Sequence, residues 1–221
     1  MSRRILLTGA TGTVGSAIVA DLLSQPGYTV VTAGRRRPFM LDKPHEHFTV
    51  DLANPDAVEA SARQLANGSF KAAVFAAGID SRQGITDVDP GVFSRVMQVN
   101  CLSQLQLLRQ LVATAETPHW PFTVVALSSD VLCEPQPRTA VYAASKAALE
   151  EALRHAAHEI ALRLLLIRLS YVGMEMAETG ETGITSRSVH PVPPVVARDA
   201  AAATLGFLKR ANNLRCVEVW P

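Results

Sequence analysis

Short apolar runs rich in valine, isoleucine and leucine recur along the chain and alternate with longer, alanine-rich segments of helical period. Apolar runs of this length are typical of strands buried on both faces of a parallel sheet, which need helices as crossover connections. The pattern therefore predicts a doubly wound α/β fold, with helices on both faces of a seven-stranded, mostly parallel sheet.

Turn residues at the ends of the apolar runs place the individual elements. The predicted strands are 4–8, 29–33, 47–51, 72–76, 122–127, 163–168 and 215–219. The predicted helices are 14–24, 55–66, 91–114, 142–158 and 198–211. Residues 173–197 are crowded with glycine, threonine, serine and proline, so they predict a loop after the sixth strand that holds the substrate.

Length and composition narrow the class of protein. With 221 residues, 48% of them hydrophobic, we expect one domain over residues 1–221. The 21 Lys and Arg nearly balance the 20 Asp and Glu, which argues against a nucleic-acid partner or binding to an anionic membrane. Three scattered cysteines, no apolar run of spanning length and no clear metal-ligand pattern predict a soluble, cytoplasmic protein without a metal.

A glycine-rich turn joins the first predicted strand to the first predicted helix, where residues 8–15 read TGATGTVG. Here Gly9 allows a tight turn, Gly12 lets the backbone approach a pyrophosphate, and Gly15 lets the helix pack closely on the strand. An ordinary turn without a ligand is the alternative, but the position directly after an N-terminal strand favours a dinucleotide. The candidate cofactor residues in this turn are Gly9, Thr11, Gly12, Thr13, Val14 and Gly15.

Three arginines, 35–37, follow the second predicted strand, where NAD-specific proteins usually carry an Asp or Glu for the ribose diol. Arginine can instead make charge-assisted hydrogen bonds to a 2′-phosphate. A solvated basic loop is the alternative. Given the glycine-rich turn, we expect NADP(H) to be preferred over NAD(H), with Arg35 and Arg36 as contacts.

The candidate catalytic residues lie in the second half of the chain. Tyr142 and Lys146 are four residues apart at the start of a predicted helix, so both side chains face the same way. Ser129 follows the fifth predicted strand, at the carboxyl edge where parallel sheets bind ligands, and Asn100 lies in the middle of segment 91–114. A phenol is a poor base at neutral pH, so we expect the Lys146 ammonium to lower the pKa of Tyr142.

Several short motifs together resemble the short-chain dehydrogenase/reductase family, in its compact single-domain form. They occur in the family's order and approximate spacing over nearly the whole chain. The matching motifs are the glycine-rich turn, Asp51-Leu52, Ala76-Ala77-Gly78, Val99-Asn100, Leu127-Ser128-Ser129 and Tyr142-x-x-x-Lys146. The resemblance implies a Rossmann-like fold and a carbonyl or alcohol oxidoreductase. Apolar residues in the loop over 173–197, such as Met174, Met176 and Val189, suggest a small, apolar or mixed substrate.

The same resemblance implies roles for individual residues. It makes Tyr142 the acid/base and Ser129 a hydrogen-bond donor to the substrate oxygen. It places Lys146 on the nicotinamide ribose and gives Asn100 a part in a proton relay. The further cofactor residues that it implies are Asp51, Leu52, Ala76, Ala77, Gly78 and Val172.

The sequence also departs from the family. Phe75-Ala76-Ala77-Gly78 lacks the side-chain amides that usually brace the sheet, and Val172-Gly173 stands where the family has Pro-Gly. Each candidate residue taken singly has a structural explanation, such as a helix start or a cap. A non-catalytic NADP(H)-binding sensor, or an epimerase or dehydratase with tightly held cofactor, therefore stays open as an alternative.

Assembly is predicted more from the resemblance than from the residues. Small residues at 143, 144, 147 and 148, together with apolar residues at 105, 108 and 112, could form a surface between copies of the chain. We expect a homodimer or homotetramer.

Overall fold

The computed structural model describes residues 3–38, 45–65, 68–113, 121–160, 162–169, 194–209 and 216–219. These residues form seven strands in one sheet of order β3-β2-β1-β4-β5-β6-β7, and every neighbouring pair is parallel. The strands are β1 Arg3–Thr8, β2 Tyr28–Gly34, β3 Glu46–Thr49, β4 Phe70–Phe75, β5 Phe122–Ser129, β6 Leu162–Leu169 and β7 Cys216–Val219. The doubly wound prediction is confirmed.

Helices cover both faces of this sheet. They are α1 Thr13–Ser24, α2 Pro55–Leu65, α3 Pro90–Met97, α4 Ser103–Ala113, α5 Ala140–Glu159 and α6 Pro194–Lys209. The two-residue period of a strand sends neighbouring side chains to opposite faces. In β1, Leu6 packs in the cluster formed with α2, α4 and α5, whereas Ile5 and Leu7 pack with α1 and α6.

The order of the strands reverses on either side of β1. The chain runs outward from β1 through β2 to β3, returns to β4 on the other side of β1, and continues to β7. The connections after β1 and β4 therefore diverge and leave a crevice at the carboxyl ends of these strands. The candidate residues of the glycine-rich turn and of segment 76–78 follow these two ends.

The predicted helix over 91–114 is one continuous segment of three parts. Asp89 caps α3, its carboxylate accepting a hydrogen bond from the Val92 amide at 2.8 Å, and a π-helical turn over Gln98–Leu102 separates α3 from α4. A π turn places one more residue in the turn than an α-helix does, and here the Ser103 amide donates to the Gln98 carbonyl five residues earlier. Two side chains add to the turn, because Ser103 Oγ and Gln104 Nε2 both donate to the Val99 carbonyl.

The last helix begins four residues earlier than predicted, at Pro194 rather than at residue 198. Proline suits the first position of a helix, because its missing amide hydrogen would have no intrahelical partner there. The predicted substrate loop thus ends before residue 194. The rest of it, residues 173–193, lies outside the described residues.

Candidate active site

The glycine-rich turn brings the carboxyl ends of β1 and β4 together. Gly9 has a φ of +74°, and a Cβ on it would lie 2.5 Å from the Ala77 nitrogen. Any side chain there would be strained and would clash with the backbone after β4. A Cβ on Gly15 would collide with the Gly9 carbonyl, so this glycine lets α1 start directly against the turn.

The N-terminus of α1 offers free backbone donors. Gly12 is the N-cap and supplies no side-chain cap, and the first turn of this fully described helix contains no acidic residue. Its amide groups and the positive end of the helix dipole are therefore open to an anion.

A cavity of about 190 Å³ lies over this turn. Its lining comes from the ends of β1, β2 and β4, from the turn after β3, and from the α3 and π segments. The lining residues are Gly9, Thr11, Gly12, Thr13, Gly34, Arg35, Arg36, Val50, Asp51, Leu52, Ala53, Ala76, Ala77, Gly78, Ile79, Arg95 and Val99. Most of the residues predicted to bind a cofactor thus share one cavity, with three arginines on its walls.

Asp51 and Leu52 enter the cavity through a tight turn after β3. The Asp51 carboxylate accepts a hydrogen bond from the Ala53 amide at 3.0 Å, and Leu52 is buried. The predicted strand over 47–51 ends earlier, at Thr49, so Asp51 lies in the turn and not in the sheet.

Asn100 lies in the π turn and is fully buried. Its Oδ1 accepts a hydrogen bond from the Ile79 amide at 2.8 Å, and its Nδ2 donates to the Ile79 carbonyl at 2.9 Å. The same Nδ2 donates to Ser145 Oγ on α5, also at 2.9 Å. One amide therefore ties the segment after β4 to the helix that carries Tyr142 and Lys146.

Tyr142 and Ser129 meet where β5 ends and α5 begins. Burial, reinforced by the negative charge of Asp80, raises the pKa of the Tyr142 hydroxyl above its ordinary value, and a hydrogen bond with Ser129 acts in the opposite direction. The expectation of a lowered pKa is wrong for this state of the protein, because burial and the negative charges of Asp80 and Asp130 outweigh the hydrogen bond with Ser129 and the positive charge of Arg82. The phenol is neutral here.

Lys146 lies one helical turn beyond Tyr142, and its ammonium is 5.6 Å from the centre of the tyrosine ring. Its Nζ donates a hydrogen bond to the Leu127 carbonyl of β5 at 3.0 Å. A Cβ on Gly78 would lie 3.3 Å from this Nζ, so the glycine gives the ammonium room beside the cofactor cavity. Burial lowers the pKa of Lys146 to about 8, although the carboxylates of Glu150 and Asp80 oppose this effect.

The missing family amides after β4 have a substitute. The Ala77 amide lies 3.4 Å from Thr8 Oγ1, and this hydroxyl donates to Gln104 Oε1 at 3.0 Å. A hydroxyl from β1 and an amide from α4 thus brace the strand ends. Sequence reasoning missed Gln104 because its contact with Thr8 joins residues 96 positions apart in the chain, which only the folded sheet and helix bring together.

Two charged residues in this region were also missed, Asp80 and Arg95. Asp80 is buried beside the candidate catalytic residues, and Arg95 reaches the cofactor cavity from α3. A lone aspartate in a polar stretch and a lone arginine on a helix carry no signal before the fold brings them to a site. The predicted contact at Val172 lies outside the described residues.

Within the described ranges, no helix is long and apolar enough to cross a membrane. The same ranges hold no group of three or more His, Cys, Asp or Glu side chains arranged to bind a metal ion.

Comparison of the sequence with known protein families supports the relationship that this geometry indicates. A family model described as short chain dehydrogenase matches residues 3–186. No curated protein matches the chain significantly.

Solved structures show the same fold at low identity. A short chain dehydrogenase family protein from Francisella tularensis subsp. tularensis SCHU S4 is 18% identical, with 99% of this chain and 97% of that chain covered and a TM-score of 0.82. An alcohol dehydrogenase from the archaeon Thermococcus sibiricus, complexed with 5-hydroxy-NADP, is 18% identical, with 99% and 96% covered and a TM-score of 0.78. A 4-hydroxyisoleucine dehydrogenase complexed with NADH is 18% identical, with 99% and 97% covered and a TM-score of 0.81.

Proposed function

The chain belongs to the short-chain dehydrogenase family, and from this premise we propose that it interconverts a carbonyl and an alcohol with NADP(H), using Tyr142 to transfer the proton. Family membership makes the protein an NAD(P)-dependent oxidoreductase. The choice of nucleotide, the proton carrier and the substrate belong to the proposal. The observation that carries it is the convergence of Ser129, Tyr142 and Lys146 beside the cavity over the glycine-rich turn.

The residues of the cavity fit a dinucleotide. Gly9 and Gly15 leave room that side chains would fill, and the uncapped start of α1 suits a pyrophosphate. Asp51 and Leu52 would hold the adenine end, Lys146 the nicotinamide ribose, and Val172 the carboxamide. When bound, the nucleotide supplies the hydride, and the protein supplies position and charge.

Support for NADP(H) over NAD(H) comes from charge. Arg35 and Arg36 are exposed after β2 and line the cavity, while the Gly34 that precedes them has no carboxylate to engage a ribose diol. Guanidinium groups pair with phosphate through charge-assisted hydrogen bonds, which a plain ribose does not offer.

The proton chemistry follows from the neutral phenol. In carbonyl reduction, Tyr142 donates its proton to the oxygen as negative charge develops there, and Ser129 donates a hydrogen bond to the same oxygen. The Lys146 ammonium stabilises the phenolate that remains. Asn100 supports this arrangement by tying Ile79 to Ser145, which fixes the distance between the two halves of the site.

We also propose that the protein assembles as a homodimer or homotetramer. The contact surface expected from the sequence is wrong in part, because Leu108 is buried in the core and Leu105, Val112 and Ala148 pack against it. Leu102, at the end of the π turn, is 48% exposed, and Ala144 and Ala147 are exposed on α5. Exposed apolar and small side chains on two elements that contact each other suit close packing of helices from two copies. The cytoplasmic location stays a prediction.

The test is carbonyl reduction by the Tyr142→Phe variant. This change removes one hydroxyl and keeps the packing of the ring, so kcat and kcat/KM should fall together by ~10²–10⁴-fold while NADPH affinity is nearly unchanged. Ser129→Ala should lose less activity and spare the cofactor, whereas Lys146→Ala should weaken both. The measurement is NADPH consumption over a panel of aldehydes and ketones. A Tyr142→Phe enzyme that works at the wild-type rate would show that another group supplies the proton.

A further inference from the structure

The segment that follows β4 carries a buried carboxylate with one oxygen unsatisfied. Asp80 is 9% exposed, and its Oδ2 forms an ion pair with Arg82 Nε at 2.8 Å. Its Oδ1 is buried and has no well-formed hydrogen bond from the described residues. Burial raises the pKa of this carboxyl, although Arg82 and the Ser81 amide act in the opposite direction. A buried acceptor without a hydrogen bond destabilises the folded protein by about 1–3 kcal/mol. Such an acceptor is therefore expected where a ligand or a water donates the missing hydrogen bond.

Two contacts fix this segment against the active site. On one side of Asp80, the Ile79 amide and carbonyl are both held by Asn100. On the other, the Arg82 carbonyl accepts a hydrogen bond at 2.8 Å from Arg138 Nε, which comes from the loop just before α5. Asp80 is thus fixed between the π turn and the start of the helix that carries Tyr142.

Arg138 itself adopts a φ of +62°, the one positive φ among the non-glycine residues of the described part of the chain. A long side chain in this conformation is strained by roughly 1 kcal/mol or more, so the surrounding structure must hold it there. Its hydrogen bond to Arg82 gives a reason: the unusual backbone directs the guanidinium onto the segment of Asp80.

The Asp80 carboxylate lies near enough to the catalytic residues for its charge to reach them. Its charge acts on both the Tyr142 hydroxyl and the Lys146 ammonium, and Gly78, two residues earlier, lies against Lys146. Tyr142 is 8% exposed and Asp80 is 9% exposed, so the proposed proton donor and the unsatisfied acceptor belong to side chains buried to a similar degree.

We propose that Asp80 recognises the substrate by accepting a hydrogen bond from a substrate hydroxyl on Oδ1, so that the preferred substrates are hydroxylated carbonyl compounds and the matching polyols. This inference rests on the proposed oxidoreductase function. The chemistry around Asp80 selects the hydroxyl among possible partners. A substrate ammonium would meet the positive charges of Arg82 and Lys146, a substrate carboxylate would be repelled by Asp80, and an apolar group would leave Oδ1 unsatisfied.

The test compares substrates that differ by one hydroxyl in place of one methyl. Hydroxyacetone and butanone form such a pair. Because a hydrogen bond to a charged group discriminates by about 10- to 100-fold, kcat/KM of the wild type should favour hydroxyacetone by at least this much. The hydroxyl also activates the carbonyl chemically, so the decisive quantity is the change in this ratio among variants.

Asp80→Ala should lower the ratio by about tenfold or more. Asp80→Asn keeps the shape and one acceptor without the charge, so its ratio should lie between those of wild type and Asp80→Ala. If Asp80→Ala does not fold, Asp80→Asn decides. The matched control is Asp87→Ala, which removes an exposed carboxylate seven residues along the chain and should leave the ratio unchanged. A ratio within twofold of wild type in folded Asp80→Ala, or in Asp80→Asn if Asp80→Ala does not fold, would overturn the proposal.

A binding measurement separates this proposal from the proposed function. Calorimetric titration of the protein with NADP⁺ present should show tighter binding of 1,2-propanediol than of 2-butanol, and Asp80→Ala should abolish the difference. If this difference is found without any turnover, the recognition by Asp80 stands and the oxidoreductase proposal fails. If ketones are reduced but neither binding nor kcat/KM depends on Asp80, the oxidoreductase proposal stands and the recognition by Asp80 fails.

Discussion

Lys146 carries a positive charge into a buried site, and this burial has a cost that depends on pH. Its folded-state pKa of about 8 lies below the ordinary value of 10.5. Between these two values the unfolded chain binds more protons than the folded protein, so stability rises with pH across this window. Below about pH 8 both states are protonated, and the full cost of the buried ammonium is present.

Lys146→Met should therefore stabilise the protein at pH 7 while it removes activity. We expect the free energy of unfolding to rise by about 1–2 kcal/mol, because relief of the buried charge exceeds the loss of the hydrogen bond to the Leu127 carbonyl. The gain should shrink as the pH rises from about 8 towards 10.5. Urea unfolding at pH 7 and at pH 9.5 measures it, with the exposed Lys209→Met as control. A variant less stable than wild type at both pH values would contradict the expectation.

Arg35 is the residue on which nucleotide preference is predicted to depend. Arg35→Asp replaces a guanidinium that can bind a 2′-phosphate by a carboxylate that repels it and can accept from a ribose diol. We expect the ratio of kcat/KM for NADPH over NADH to fall below one, or at least by about tenfold. An unchanged ratio would show that the 2′-phosphate lies elsewhere, and Arg95 would be the next side chain to replace.

Residues differ in how far the sequence reveals them. Ser129, Tyr142 and Lys146 are identifiable because each has a fixed relation to an element: a strand end, a helix start and one helical turn. Asp80 has no such relation. Its importance comes from Asn100 and Arg138, which lie 20 and 58 residues away along the chain and hold its segment in place.

Helix α5 has a row of polar side chains along one line. Tyr142, Lys146, Glu150 and Arg154 are each four residues apart, so they follow one another on one face. Glu150 is 2% exposed, and its two oxygens accept hydrogen bonds from Arg168 of β6 at 2.9 and 2.6 Å. Burial alone would raise its pKa, but the hydrogen bonds and positive charges around it keep the pKa below its ordinary value. Glu150 is thus a fixed negative charge one turn from Lys146.

Glu150→Gln should move the alkaline limb of the pH profile for carbonyl reduction. Without this negative charge the pKa of Lys146 is lower. The alkaline pH at which activity declines should therefore fall by about half a unit or more. Glu151→Gln is the matched control, because Glu151 is its exposed neighbour on the same helix. Equal shifts in both variants, or none in Glu150→Gln, would rule out a positioning role for Glu150.

Strands and most helices are predictable within a few residues, because buried parallel strands are continuous apolar runs and α2 has the Asn54-Pro55 start signal. The division of segment 91–114 is not predictable in this way. The π turn depends on the buried amide of Asn100 finding Ile79 and Ser145, and these contacts exist only after β4 and α5 have packed. The helix propensities of the residues in this segment do not reflect these contacts.

At the scale of the whole molecule, the site exists because the strand order reverses at β1. The glycine-rich turn after β1 and the segment after β4 are far apart in sequence and meet at this crevice. β5 and α5 add Ser129, Tyr142 and Lys146 next to it. The general position of the site therefore follows from the predicted topology, whereas the loop over 173–193 that would complete the substrate side lies outside the described residues.

Assembly is the prediction that concerns the whole molecule. We expect a mass of two or four chains in solution at about 10 µM, and we expect Leu102→Asp to shift it towards one chain, because a charge would be buried at the contact. Ile85→Asp is the control, since Ile85 is 79% exposed on a separate 3₁₀ turn. Sedimentation or light scattering measures both. A wild-type protein that stays monomeric at micromolar concentrations would contradict the prediction and show that these helix surfaces contact solvent.

The π turn between α3 and α4 also bears on how this chain can change in length. A π turn holds one residue more than an α-helical turn over nearly the same rotation, so loss of a single residue from Gln98–Leu102 would restore a regular helix and leave the core faces of α3 and α4 close to their present directions. The change would fall on the turn itself, because Asn100 would lose the position from which it binds Ile79 and Ser145. A variant one residue shorter here should therefore keep the fold and lose the link between the segment after β4 and α5.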